Sequence, residues 1–267
     1  MKIKVLKFGG TSVGSIEAIK RSADIIRDWS KKSKVIAVLS AMSGETDRLI
    51  NLTKSFSKNP NPIDFDNAIS SGENVSCALM SICLNNQKIK AKSLLSWQIP
   101  IITSSEHMKS RILSINKKFL YDELENFEVL LIPGFQGINN KGELTTLGRG
   151  GSDTSAVAVA AAMETECIIY TDVEGVFTTD PNIVPKAKKI NKISYEEMLE
   201  LASQGAKVLQ TRSVELAMRK NTKLSVRSSF KPKKIGTMIT DEKSVLENNT
   251  VSGITYSKDE AKITLSR

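Results

Sequence analysis

Residues Thr145–Met163, TTLGRGGSDTSAVAVAAAM, constrain this chain more than any other stretch. The Gly-rich turn GRGG carries Arg149 at its centre. Ser152, Asp153 and Thr154 follow, which suit a helix cap or first turn, and SAVAVAAAM then reads as a tightly packed helix. A turn of this kind exposes backbone N–H groups, and the start of the helix adds the positive end of its dipole, so the segment is built to hold an anion. Arg149 adds a planar fork for a carboxylate or phosphate. A Walker-type loop would need a Lys after its second Gly, which is absent. A dinucleotide fingerprint begins in GRGGSD but fails at Asp153.

Alternation of short apolar runs with longer amphipathic ones sets the fold class. Ile3–Phe8, Val35–Leu39, Pro100–Thr103, Val129–Pro133, Ile168–Thr171 and Leu224–Arg227 read as buried strands. Ser15–Trp29, Glu45–Ser57, Ile63–Leu84, Ser152–Glu164, Tyr195–Ala202 and Ala206–Lys220 read as helices between them. That order predicts an α/β protein: a mainly parallel sheet covered on both faces. Phe135–Leu147, with Asn139–Gly142 as its turn, reads as a hairpin outside the main sheet. GTMI, after Phe230, reads as a last strand.

The chain's 267 residues suffice for a large core, and 40% hydrophobic with 25% charged residues is ordinary for a soluble protein. No apolar run approaches the ~20 residues of a membrane span. A net charge of +9 raises nucleic-acid binding as an option. The lysines are scattered and lack interleaved aromatics, so a solvated surface explains them better, and neither nucleic acid nor membrane is expected as a partner. Three cysteines, Cys77, Cys83 and Cys167, have no metal-ligand spacing and read as reduced thiols of a cytoplasmic protein.

Several strand ends carry chemistry. KFGGTSV places Lys7 and Phe8 at the end of the first strand, with Gly9 and Gly10 allowing the backbone close to a ligand. SAMSGETD offers Ser40 and Thr46 after the second strand, and SSGENVS sets Glu73 beside Gly72. Alone, each of the latter two is also a polar loop or a solvated helix carboxylate. YTDVEGVFTTDP leaves a strand with Thr171 and Asp172 and continues to Phe177 and Asp180, a pattern suited to a nucleotide. Lys207 stands at the expected start of a helix, where a cation opposes the dipole unless it faces an anion. The single histidine, His107, supports no catalytic triad or metal cluster and reads as structural or surface. A carboxylate acceptor is already ionised at neutral pH, so phosphoryl transfer to it needs no general base.

These segments, with PGFQG, TTLGRGGSDTSA, GAKVLQTRSVELA and LSVRSSF, occur in the order seen in aspartate kinases, and the chain resembles that family over nearly its whole length. The resemblance implies the amino-acid-kinase fold, a three-layer α/β/α sandwich. It implies ATP-dependent phosphorylation of L-aspartate to 4-phospho-L-aspartate, the first step toward lysine, methionine, threonine and diaminopimelate. Carried over, Lys7 contacts the ATP phosphates and Asp153 orients it or helps organise the transfer, the two forming the catalytic set. Ser40, Thr46, Glu73, Arg149 and Ser152 hold the substrate, with Arg149 on a carboxylate and Glu73 on the α-ammonium. Lys7, Phe8, Gly9, Gly10, Thr171, Asp172, Phe177, Asp180 and Lys207 form the nucleotide site. Magnesium bridges the ATP phosphates, with no protein ligand named. A homodimer is expected.

The resemblance divides the chain into a catalytic domain over 1–230, a last strand and linker over 231–250, and over 251–267 the cut-short start of an ACT regulatory domain. On that reading the chain shows no feedback inhibition by lysine or threonine through the usual ACT site. Asn182 departs from the Arg that many relatives carry after the Asp-Pro of the nucleotide loop. The sister kinases for acetylglutamate, glutamate and uridylate share the fold, and SAMSGETD together with GRGGSDTSA argues against them.

Overall fold

The computed structural model describes residues 1–99, 101–206, 208–241 and 253–255. The chain runs β1 (Ile3–Phe8), a 3-10 turn (Gly10–Ser12), α1 (Ile16–Ser30), β2 (Lys34–Leu39), α2 (Glu45–Phe56), α3 (Pro62–Ile69) and α4 (Ser71–Asn86). It continues through β3 (Ala91–Ser93), β4 (Ile101–Thr103), β5 (Ile112–Ile115), α5 (Lys117–Asn126), β6 (Val129–Pro133), β7 (Gln136–Ile138) and β8 (Leu144–Thr146). The remainder is α6 (Gly151–Ala162), β9 (Cys167–Thr171), β10 (Lys192–Ser194), α7 (Tyr195–Ser203), α8 (Thr211–Lys220), β11 (Leu224–Ser228) and β12 (Thr237–Thr240).

Among the described residues eight strands form one sheet in the order β10-β12-β11-β9-β1-β2-β6-β3, in which only the β11–β12 pair is antiparallel. Side chains alternate across it. Val5, Val38, Ile132, Ile169 and Val226 face α6, α7 and α8, whereas Leu6, Phe8, Ala37, Leu131 and Tyr170 face α1 and α4. The result is the expected three-layer sandwich. Helix α6 is buried at nearly every position from Asp153 to Ala160, which accounts for its Ala/Val composition: larger side chains would hold it off the sheet.

The expected hairpin exists as β7–β8, and it joins β4 and β5 in a separate four-stranded sheet, order β5-β4-β7-β8. The run expected over Pro100–Thr103 therefore belongs to this small sheet and not the main one; Pro100 itself lies outside the described residues. The expected helix 63–84 is two helices. At Ser70 the backbone carbonyl accepts from Gln136 Nε2 at 2.9 Å, and the chain changes direction there. Helix α8 begins at Thr211 rather than Ala206. The short strands β3, β5 and β10 and helix α5 had no strong periodic signal. Cys77, Cys83 and Cys167 are free thiols, as expected. The expected ACT-domain start lies outside the described residues except for 253–255, and Lys207 lies outside them too.

Candidate functional site

The chain passes from β1 to β2 and β6 on one side of the sheet and returns to β9 on the other, so the strand order reverses beside β1. A crevice at the C-terminal ends of the strands follows from such a reversal. The registers Lys7↔Val38 and Lys7↔Ile169 bring β9, β1 and β2 to an end at nearly the same level.

Lys7 projects from β1 toward the first turn of α6, where its Nζ lies 2.7 Å from Asp153 Oδ1, with each side chain about 11% exposed. Gly9 and Gly10 let the chain leave β1 between close neighbours. A Cβ on Gly9 would stand 3.3 Å from Lys7 Nζ, and one on Gly10 would stand 3.2 Å from the Ala41 carbonyl oxygen. Gly148 and Gly150 flank Arg149 with φ of 77° and 69°, a left-handed backbone that L side chains adopt only with strain. Arg149 is exposed between them, and Ser152 is half-buried at the start of α6.

On the other side of Lys7, α4 presses its first turn against the exit of β2. A Cβ on Gly72 would meet Ala41 Cβ at 2.8 Å. Glu73 is 3% exposed; its Oε1 accepts from the Ala41 N–H at 3.1 Å, while Oε2 has no partner among the described residues. Burial pushes the Glu73 carboxyl up to about 7, opposed in part by the Ala41 N–H. Such a group lacks a cation. Ser40, at the end of β2, and Thr46, in the first turn of α2, are half-buried. The candidate substrate residues thus stand at the end of β2 and at the starts of α2, α4 and α6.

Thr171, Asp172, Phe177 and Asp180 line one cleft of about 630 Å³ at the end of β9, together with Asn182, Ala206 and Ile254. Phe177 is half-buried and its backbone bridges to Lys189. The Phe8 side chain is fully buried on the opposite face from Lys7, stacked on Tyr170 with ring centroids 5.1 Å apart, so only the Phe8 backbone is available to a nucleotide. Alternation along β1 dictates this, because adjacent residues cannot face the same layer.

Sequence reasoning missed the residues that brace the site. Asp66 is fully buried and accepts from Thr146 Oγ1 at 2.6 Å, from the Thr146 N–H at 3.1 Å and from the Met108 N–H, and it pairs with His107 Nδ1 at 2.9 Å. His107 is therefore structural, as expected. Arg212 donates to the Leu147 and Ser110 carbonyls. Arg212 lies within the GAKVLQTRSVELA segment, but the role of neither residue is legible locally, since their partners are distant in sequence.

Against known sequences, the profile of the Amino acid kinase family matches residues 2–228. The chain belongs to the amino acid kinase family. Within that family it is 48% identical to the aspartate kinase of Pseudomonas putida over 268 residues, covering 99% of this chain and 65% of that protein. The chain thus spans less than two thirds of that relative's length. The crystal structure of aspartate kinase from Synechocystis superposes with a TM-score of 0.79 at 43% identity, covering 90% of this chain and 40% of that one. E. coli aspartokinase III, solved in complex with aspartate and ADP, superposes with a TM-score of 0.79 at 28% identity, covering 90% of this chain and 65% of that one. The mostly parallel sheet and flanking helices are those of the family.

Proposed function

We propose that this chain carries the catalytic unit of an aspartate kinase, which moves the γ-phosphoryl group of ATP to the side-chain carboxylate of L-aspartate. The observation that carries the reading is the Lys7–Asp153 pair standing between two differently equipped sites: the cleft at β9 and the half-satisfied Glu73. The names of the relatives point the same way.

In this reading ATP lies along the β9 cleft, with Phe177 against the base and Thr171, Asp172 and Asp180 about the ribose and loop. Lys207, in the same segment as Ala206, belongs to this nucleotide set. Its phosphates reach over Gly9 and Gly10 to Lys7. Aspartate enters from the other side: its α-ammonium supplies the cation that Glu73 Oε2 lacks, and Arg149 grips a carboxylate. Ser40, Thr46 and Ser152 offer hydroxyls to what remains. The free side-chain carboxylate is the nucleophile. One of its oxygens forms the new P–O bond as the bond from γ-phosphorus to the bridging oxygen breaks, and ADP leaves. No proton is transferred, consistent with a site that contains no histidine base. Lys7 neutralises charge on the moving group, and Asp153 holds the ammonium in place.

Among the described residues no group of three or more His, Cys, Asp or Glu side chains could hold a metal. Magnesium would therefore enter on the nucleotide phosphates, where its chemistry is charge neutralisation.

The test is a substrate panel with ATP, trapping acyl phosphate with hydroxylamine. Aspartate as acceptor, with acetylglutamate, glutamate and UMP inert, is the expected result. Preference for any of the others would replace this reading with a sister kinase.

A further inference from the structure

Arg212 stands in the first turn of α8, outside the substrate and nucleotide residues named above. Its guanidinium crosses to the neck of the small sheet, donating from Nη1 to the Leu147 carbonyl at 2.6 Å and from Nη2 to the Ser110 carbonyl at 2.7 Å. Leu147 is the residue immediately before the GRGG turn. Ser110 is itself tied to that strand, its N–H and its hydroxyl each donating to the Thr146 carbonyl at 2.9 Å. Burial and the nearby Arg111 depress the Arg212 pKa, yet the guanidinium is spent on two backbone carbonyls. That is an unusual use of a partly buried charge.

The turn it grips needs an external hold. Gly148 and Gly150 both sit at positive φ, and glycines at such positions have the most alternative conformations to escape into. Two neighbours oppose this. Gln210, just before α8, lies so close to Gly150 that a Cβ there would fall 2.3 Å from Gln210 Cγ. From the opposite side Asp66 accepts from the N–H and hydroxyl of Thr146. The segment leading into the turn is thus held by a carboxylate on the Thr146 donors and by a guanidinium on the Leu147 carbonyl.

We infer that Arg212 is a positioning residue for the acceptor substrate: by fixing Leu147 it sets the direction in which Arg149 presents its guanidinium. The inference rests on the aspartate kinase reading for the identity of the acceptor. It separates the two substrates, because Arg212 touches the Arg149 turn but lies on none of the residues lining the β9 cleft.

The experiment uses the full chain with Arg212→Gln and Arg212→Lys. Three quantities are measured: KM for aspartate, KM for ATP, and the rate at which trypsin cuts the Arg149–Gly150 bond of the folded protein, followed by mass spectrometry. For Arg212→Gln the KM for aspartate should rise about tenfold while that for ATP stays within about twofold. Cleavage after Arg149 should accelerate about tenfold at a temperature well below the melting transition. Arg212→Lys, able to reach one carbonyl, should fall between parent and Arg212→Gln, and it carries the comparison if the glutamine variant does not fold. An unchanged KM for aspartate in a folded variant would overturn the inference, as would equal rises for both substrates that track lost thermal stability. If the parent does not phosphorylate aspartate, the functional reading fails separately. The trypsin arm then decides alone: faster cleavage upholds positioning of the turn, and an unchanged rate removes it.

Discussion

Lys7 Nζ lies 2.7 Å from Asp153 Oδ1, joining the last turn-facing residue of β1 to the first turn of α6 in a largely buried ion pair. The two residues act as one unit, so their removal should not be additive. Lys7→Ala should lower the rate of aspartyl-phosphate formation at least about 100-fold. It should also destabilise the protein by about 3 kcal/mol, because Asp153 is left buried without its cation. Asp153→Asn should lower the rate less, and the double variant should be no worse than Lys7→Ala alone. Hydroxylamine trapping and urea titration of the four proteins close this cycle; additive losses would separate the two roles.

Glu73 should trade stability for binding. Its carboxyl ionises at about 7 in the folded chain against an ordinary 4.5, so the folded state holds the extra proton between those values and stability falls as pH rises through that window. Glu73→Gln removes the penalty and should raise stability at pH 8 by up to about 3 kcal/mol. The same change should weaken aspartate binding, which in the parent should itself decline as pH drops below about 7 and the carboxylate is lost. Melting curves at pH 5 and pH 8, with the aspartate KM across that range, test both signs.

Asp66 should be among the most costly single losses outside the main core. Asp66→Ala strands the buried Thr146 N–H and hydroxyl and removes the partner of the part-buried Met108 N–H and His107 contacts. With each orphaned donor costing about 1–3 kcal/mol, a loss above about 3 kcal/mol is expected. The urea midpoint should fall with its slope unchanged; a loss below about 1 kcal/mol would mean that the neck of the small sheet re-forms its hydrogen bonds.

Gly134→Ala tests how tightly the exit of β6 abuts the start of α6. The new Cβ would stand 2.8 Å from Ser152 Cβ and 2.9 Å from its Cα, so backbone must move. A loss of about 1–3 kcal/mol is expected, with a kcat decrease, since Asp153 is the next residue along. Unaltered kcat would show that α6 shifts without carrying the Lys7–Asp153 pair with it.

The layered fold was legible because alternation of apolar runs with amphipathic ones forces crossover units, and the Ala/Val content of α6 could serve only a helix buried on all sides. The site was legible where glycines and charges share one short segment, as in KFGG and GRGGSD. Other features depended on partners far along the chain. At the break at Ser70 the carbonyl is met by Gln136, 66 residues further along the chain. The placement of Ile101–Thr103 in the small sheet follows from pairing with Ile138 and the β5 strand. Phe8, adjacent to Lys7 in sequence, lies on the opposite face of the sheet by strand alternation.

The sequence by itself determined the layer architecture and which residue types could bind anions, because periodicity and local backbone chemistry are written in consecutive residues. The resemblance implied that Asp153 orients Lys7; only the tertiary structure decided that the two stand 2.7 Å apart, that Glu73 Oε2 has no partner among the described residues, and that Asp66 and Arg212 hold the segment leading into the GRGG turn. Those relationships arise from long-range packing, where burial sets the strength of each charge and no local pattern encodes the partner.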